Sequence, residues 1–352
     1  MENSPQTPNK KNFVYLITEL DLRGNPLPNN VKIGRVSGNQ FGRSASNRRD
    51  EHQTGNPRKL VIQSEIETKA SVSELEAQSH QRLANYRIWN EWFTYPGTLQ
   101  PFIKTIKGIS QQLEDQLDNE KLIAQHSSIE DNGEEKKPDS ESKDIYQETI
   151  TLVTKIESIK SQKTLIELKL KSFGNDSHMN IEGVCSYEIS KPITRLDSIA
   201  FKKEYPDLAE EISTEVIVPK FILKNKPKKE KDEEYKRLEK QYKSQKITDR
   251  SSIILSRDKE IENLHSIWLE NYVLLQPLEL RRKILEKKLK VLTGEGSGIK
   301  DICNWSRKYT KKFTKSDLEN YDFELAKKFL KPGKETIKFK VNNFRPYRFE
   351  EN

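Results

Sequence analysis

Two stretches of this chain repeat one succession of elements, and that duplication constrains the fold more than any other feature of its 352 residues. In the first, LKLKSFGNDSHMNIEGVCSY (Leu168 to Tyr187), an apolar-periodic helix ends at Gly174 and is followed by Ile181, Cys185 and Tyr187. In the second, LKVLTGEGSGIKDICNW (Leu289 to Trp305), the same order runs Gly294, Ile299, Cys303 and Trp305. Both copies continue into a polar turn and a helix, LDSIAFKKEYPDLAEEI against FTKSDLENYDFELAKKF. Both close on a short strand, KFILKN (Lys220–Asn225) against KFKVNN (Lys338–Asn343). From the glycines onward the separation stays between 117 and 120 residues. A register held that long marks a duplicated α+β module of helix, strand, helix and strand. The paired cysteines and the Tyr187/Trp305 pair read as matched core positions on a strand.

Composition divides the rest. Hydrophobic and charged residues each make up 33%, too polar for one large globule, so part of the length is expected as linker or solvated helix. Residues 1–109 hold 15 Lys/Arg against 10 Asp/Glu, residues 110–145 hold 4 against 11, and residues 146–352 hold 43 against 33. Two basic regions therefore flank an acidic one. The expected organisation is a small α/β domain at 12–108, an acidic flexible linker at 109–145, repeat modules at 146–225 and 263–350, and a charged helical spacer at 226–262. Residues 1–11 are expected as a disordered polar leader. A basic excess suits a polyanionic partner.

Two cysteines so far apart form no disulfide framework, which fits a reducing compartment. The start, MENSPQTPNKK, lacks the apolar core of a signal peptide, and no apolar run approaches membrane-spanning length. The expectation is a soluble, cytoplasmic protein with no membrane partner.

In the first domain, FVYLITEL (Phe13 to Leu20) reads as a strand. A Gly/Pro/Asn turn leads to a second strand at Val31–Gly34, so the two form a hairpin. A helix is expected around Ser44–His52, a turn at QTGNP (Gln53–Pro57) and a third strand at Leu60–Ile66. A second helix begins near Ser71, with Val72, Leu75, Ser79 and Leu83 on one face. Ser73 and Glu76 have capping-box spacing. EWFTYPG (Glu91 to Gly97) closes the unit, with Trp92 and Phe93 as core.

Read alone, Tyr15 on an apolar strand is a core tyrosine, and Glu76 with His80 is a solvated helix pair. Their order gives them more. Val14-Tyr15-Leu16, then Lys32-Ile33-Gly34, then an arginine before QTGNP (Arg48, with Arg49 as the near alternative), then Glu76 four residues before His80, then Glu91-Trp92-Phe93 follow one another. This order resembles the GIY-YIG nuclease superfamily, in the phage-type branch related to the meiotically up-regulated gene domain, over about residues 12–98. The resemblance implies a metal-dependent DNA endonuclease. Tyr15 would handle a proton, Arg48 would place a charged fork on a phosphate oxygen, and Glu76 would hold Mg²⁺ or Mn²⁺. His80, one helical turn after Glu76, would shuttle a proton or orient the carboxylate. Lys32 stands where the superfamily's second tyrosine would be. With Gly34, Arg35 and Arg49 it would serve the substrate phosphate, Lys32 as a point charge and Gly34 by letting the backbone turn. Glu91 is a helix cap or a second acidic group. His52, His126, His178 and His265 do not cluster at metal-ligand spacing, so no zinc site is expected.

TRLDSIAFKKEYPDLAEEI resembles the region following the catalytic core in phage YqaJ-like recombination exonucleases, without their nuclease motifs. The repeats are therefore expected to position the nuclease domain on DNA or on a protein partner, in phage, prophage or defence biology. A catalytically inactive nucleic-acid binder and an assembly scaffold are the alternatives.

Overall fold

The computed structural model describes residues 11–21, 23–38, 44–173, 180–190, 192–227, 231–243, 254–333 and 335–346. Gly174, His178 and all of the expected polar leader except Lys11 lie outside them. The chain is α+β, about half helix and a quarter strand, and its sheets are mostly antiparallel.

The first unit is built on β1 (Asn12–Leu20), β2 (Pro26–Val36), α1 (Ala45–Gln53), β3 (Leu60–Thr68), α2 (Val72–Arg82), β4 (Arg87–Trp89) and β5 (Trp92–Thr94). The strands form one antiparallel sheet in the order β3-β1-β2-β5-β4. β1 is buried on both faces because it is central and flanked by helices. Val14 and Leu16 face one apolar cluster with Val31, Ile33 and Leu75; Phe13, Tyr15 and Ile17 face another with Val36 and Ala45. Ser44 caps α1 in a reciprocal pair with Asn47. The cap of α2 is Ser71, which accepts from the Glu74 amide, and not Ser73, whose hydroxyl meets Arg35 instead.

Residues 109–145 are not a flexible linker. The segment opens within α3 (Gln100–Glu114) and continues through α4 (Leu117–Ser127). Phe102, Ile106, Ile109 and Leu113 recur at helical spacing and pack beneath the first sheet, so this unit runs well past residue 108. Acidic residues occupy the outward positions of these helices, and high charge alone does not prevent a helix whose inner stripe is apolar.

The duplicated unit begins earlier than the sequence suggested. β6 (Glu135–Lys136) and the Asp139 cap precede α5 (Ser140–Ser172), which leads to β7 (Asn180–Ile181), β8 (Cys185–Ser190), β9 (Arg195–Leu196), α6 (Ser198–Glu204), α7 (Pro206–Glu211) and β10 (Thr214–Leu223). α8 (Glu233–Lys243) follows. The second copy runs β11 (Ile254–Leu255), α9 (Lys259–Thr293, capped by Asp258), β12 (Gly298–Ile299), β13 (Cys303–Lys312), α10 (Lys315–Tyr321), α11 (Phe323–Lys328), β14 (Leu330–Lys331) and β15 (Thr336–Val341). The two caps are 119 residues apart, within the same register.

The copies do not fold side by side; they exchange strands. One sheet is ordered β10-β13-β12-β6 and the other β15-β8-β7-β11, so each takes two strands from either copy. β9 pairs with β14 across the copies as well. α5 and α9 lie antiparallel: the Trp268 indole donates to Glu167, Lys160 pairs with Glu279, and Arg281 makes a two-pronged bond to Glu148. α6, α7, α10 and α11 share one small core around Phe201, Leu318 and Phe329. Cys185 and Cys303 are buried, as matched core positions should be, and burial pushes the Cys185 thiol up to about 12. The spacer helix α8 is no free tether, since its Tyr235 and Leu238 are buried and Glu234 pairs with Lys169 of α5.

The first unit sits directly on the second copy. Leu280 and Ile284 of α9 enter its core, the Gln81 amide donates to the Tyr272 carbonyl, and Trp89 meets the Phe344 ring edge-on.

Candidate functional site

The sheet register places Tyr15 opposite Gly34. A side chain at residue 34 would collide with the phenol, its Cβ falling 2.4 Å from the Tyr15 hydroxyl oxygen. Glycine is thus required here by the ring across the strand pair rather than by a turn. Tyr15 is fully buried. The Arg48 guanidinium of α1 lies close enough for its charge to act on the phenol, and the His52 Nε2 lies 3.3 Å from the hydroxyl, one helical turn further along. A neutral His52 with its proton on Nδ1 accepts the phenol proton at Nε2.

Desolvation raises the Tyr15 phenol above its ordinary range, and Glu91 and Glu76 add to that, against the opposing charge of Arg48. The lowered phenol that proton transfer would favour is therefore not what this environment produces. Desolvation lowers the His52 imidazole, helped by the positive charges of Lys32 and Arg48, so it is neutral near pH 7. Arg48 is held above its usual value by Tyr15 and Glu51, which outweigh its desolvation, and its Nε is buried without a hydrogen-bond partner among the described residues.

Lys32 projects on the same side of the sheet as Tyr15, and its ammonium pairs with Glu91 at 2.5 Å. The turn between β4 and β5 presents that carboxylate, with Asn90 in the left-handed region at φ 46°. Desolvation works to raise Glu91, but Lys32 holds it below the usual carboxylate range. A cavity of about 380 Å³ opens here, lined by Lys32, Glu51, His52, Asn56, Leu60 and Trp92. A larger cavity, about 820 Å³, lies between α5 and α8 and contains none of these groups.

Glu76 comes from α2 on the opposite side of β2. Arg35 bonds it at 2.6 Å and also reaches the Ser73 hydroxyl at 2.9 Å. Desolvation raises the Glu76 carboxyl despite Arg35, and the charges of Glu91 and Lys32 both act on it. The carboxylate therefore feels the charges on the Tyr15 side of the sheet, although the space over Gly34 is filled by the Tyr15 ring.

Of the residues singled out in the sequence, Tyr15, Lys32, Gly34 and Arg48 lie on one side of the sheet, and Glu76, fixed by Arg35, lies on the other. Two depart from expectation. Arg49 turns away to its neighbour Asp50, at 2.7 Å. His80 lies against the Phe93 ring and its Nε2 donates to the Ile33 carbonyl at 3.0 Å, while desolvation lowers it to about 4. It braces β2 instead of partnering Glu76. The histidine at the centre is His52, which sequence reasoning passed over by looking for metal-ligand spacing. Its signal was the four-residue interval from Arg48, which puts both on one face of α1.

Among the described residues, no three His, Cys, Asp or Glu side chains come together as a metal-holding group. Glu76 offers a single half-buried carboxylate. That donor set fits a hard cation such as Mg²⁺, which keeps several waters and takes few protein ligands, provided Arg35 yields an oxygen. Among the same residues no helix is long and apolar enough to cross a membrane. Comparisons with family models, with curated proteins and with solved structures find no match.

Proposed function

We propose that the first unit is a metal-dependent endonuclease that hydrolyses phosphodiester bonds in DNA, held on its substrate by the duplicated unit. The observation that carries this reading is a guanidinium and a neutral imidazole set beside the Tyr15 phenol, with the Glu76 carboxylate on the other side of the sheet and near enough for its charge to act on that phenol. Bound Mg²⁺ would supply Lewis-acid polarisation of a phosphoryl oxygen. The remaining work falls to the chain. His52 accepts a proton at Nε2 from a water in the cavity it lines. Arg48 keeps the phenol oriented and neutralises charge growing on the phosphate. Lys32 exchanges Glu91 for a phosphate oxygen, and Glu76 is the ligand for the cation.

The experiment is plasmid nicking with Mg²⁺ or Mn²⁺, beside an EDTA control and the Glu76→Ala, Arg48→Ala and His52→Ala variants. Metal-dependent nicking lost in all three is the expected result. Nicking that persists in Glu76→Ala and Arg48→Ala would sink the assignment.

One observation favours a second reading, a non-cleaving nucleic-acid binder. Lys32–Glu91 and Arg35–Glu76 are closed ion pairs, and the Tyr15 hydroxyl is buried. Salt-sensitive DNA affinity without nicking in either metal would decide for it.

A further inference from the structure

The β10–β13 pair is a ribbon that leaves the body of the molecule. It runs in unbroken antiparallel register from Thr214↔Lys312 to Leu223↔Cys303. Toward the β10 C-terminus it belongs to a four-stranded sheet, and at the other end it meets the small core of α6, α7, α10 and α11. One face is open along the ribbon, and the other is open only at the end nearest Thr214↔Lys312, since Arg307 and Trp305 are buried behind the rest. Thr214, Val216, Val218 and Lys220 are exposed on one, Glu215 and Tyr309 on the other. A two-stranded ribbon is marginal alone, so attachment at both ends is what maintains this one.

The two faces differ in charge. On the face with Tyr309, Lys311 is matched by Glu210 and lies opposite Glu215. The other face carries Thr214, Val216, Val218, Lys220 and Ile222 from β10, and Asn304, Ser306, Lys308, Thr310 and Lys312 from β13. It contains three lysines, three hydroxyls, an amide, three β-branched aliphatic side chains and no carboxylate. The lysines extend over about 20 Å of ribbon. The other copy does not repeat this. There Lys338 corresponds to Lys220, but Ser190 and Thr194 stand where Lys308 and Lys312 do, and Lys340 is tied to Glu188.

We propose that this face is a docking element for double-stranded DNA, laid into the major groove with Lys220, Lys308 and Lys312 on the flanking phosphates. The groove is wide enough for a two-stranded ribbon. Val216, Val218 and Ile222 present methyl groups to thymine methyls, and the hydroxyls and Asn304 meet base edges or phosphate oxygens. A face with three cations and no anion is complementary to a polyanion, and the end of the ribbon that carries Lys308 and Lys312, open on both faces, can enter a groove where a flat patch cannot. The inference shares the DNA partner of the proposed function but does not depend on cleavage.

The test is binding of the full-length protein to a labelled 30-base-pair duplex, with EDTA present so that nothing is cut. The triple variant Lys220→Gln, Lys308→Gln, Lys312→Gln should lose at least about tenfold in affinity, and its log–log salt slope should fall by about 2.7, near 0.9 per phosphate contact. Lys104→Gln, Lys107→Gln, Lys143→Gln, which removes three exposed lysines elsewhere, should bind within about twofold of the parent. Matching circular dichroism melts exclude unfolding. Equal loss in the two triple variants, no salt-sensitive duplex affinity in the parent, or equally tight binding of a single strand of the same length would each overturn the proposal. Loss of nicking with duplex binding intact, as expected of Glu76→Ala, bears on the nuclease reading alone.

Discussion

The first unit holds an arginine and a histidine partly buried, the duplicated unit holds one of each fully buried, and the two bond them differently. In the duplicated unit Arg307 is fully buried, donates to the Gly294 and Gly296 carbonyls, and lies over the Trp305 ring at 4.2 Å. His265 is bonded to the Asn342 carbonyl. In the first unit His52 meets a phenol hydroxyl instead, with the charge of Arg48 acting on the same phenol, and His52 also lines an open cavity. Backbone carbonyls cannot leave or exchange protons, so the first arrangement holds the chain in shape. A hydroxyl between a cation and a neutral base can relay a proton. Desolvation lowers both histidines, so a shifted pKa does not separate the two cases; exposure and the identity of the bonding partner do.

The sharpest way to break this comparison is to remove each arginine. Arg48→Ala should reduce nicking about 10²–10³-fold, the scale of losing one positioned charge donor, with little change in melting temperature. Arg307→Ala should cost about 2–6 kcal/mol of stability in a denaturant titration, about 1–3 for each of the Gly294 and Gly296 carbonyls that loses its buried donor, while Asp131 keeps the backbone amide of residue 307. If Arg48→Ala is the destabilising change and Arg307→Ala the silent one, the contrast is wrong.

Glycines sharpen it further. Gly34→Ala drives a methyl into the movable Tyr15 ring, whereas Gly298→Ala drives one to 2.3 Å from the Cys303 carbonyl oxygen, a backbone atom. Each should cost about 1–3 kcal/mol. Adding Tyr15→Val should restore stability to Gly34→Ala but not nicking. No single side-chain change should rescue Gly298→Ala.

Acid acts on both units at once. His80 and His265 are lowered from 6.5 to about 4 by desolvation, so between those values the unfolded chain binds more protons than the folded one. Stability is therefore whole above pH 6.5 and declines as pH falls toward 4, by on the order of 2 kcal/mol per histidine. Urea midpoints measured across that range should show it, and His80→Gln should remove part of the slope. Nicking should also fall with acidification, because protonation of His52 removes the base and protonation of Glu76, whose carboxyl is raised, removes the metal ligand.

The smallest effect concerns the two copies. Ile181 and Ile299 are both 2% exposed at matched positions. Ile181→Val and Ile299→Val should each cost about 0.5–1.5 kcal/mol, and nearly the same amount. A marked inequality in thermal melts would show that the strand exchange is less symmetric than the pairing implies.

The local rules were legible without coordinates. Alternation and β-branching marked β1 and β3, and Val72, Leu75, Ser79 and Leu83 marked the inner face of α2. The KIG stretch, Arg48 and Glu76 were placed by their order. The repeat was visible because matched core residues kept one register. What escaped depended on contacts distant in sequence. Four of the exchanged strands, β6, β7, β11 and β12, are two residues long and too short to show a period. Residues 109–145 looked like linker because acidic outer positions masked the Phe102–Ile106–Ile109–Leu113 stripe. His80 looked like the partner of Glu76 because both lie on one helix face, yet the Ile33 carbonyl claimed it.

By itself, then, the sequence determined which segments become strand or helix and that one module occurs twice, since these follow from side-chain shape and apolar spacing within a few residues. Tertiary structure alone decided that the copies trade strands, that the first unit rests on α9, and that His52 reaches Tyr15 beside Gly34. Those outcomes depend on which buried surfaces and hydrogen-bonding groups meet across long stretches of chain, and no local pattern encodes that choice.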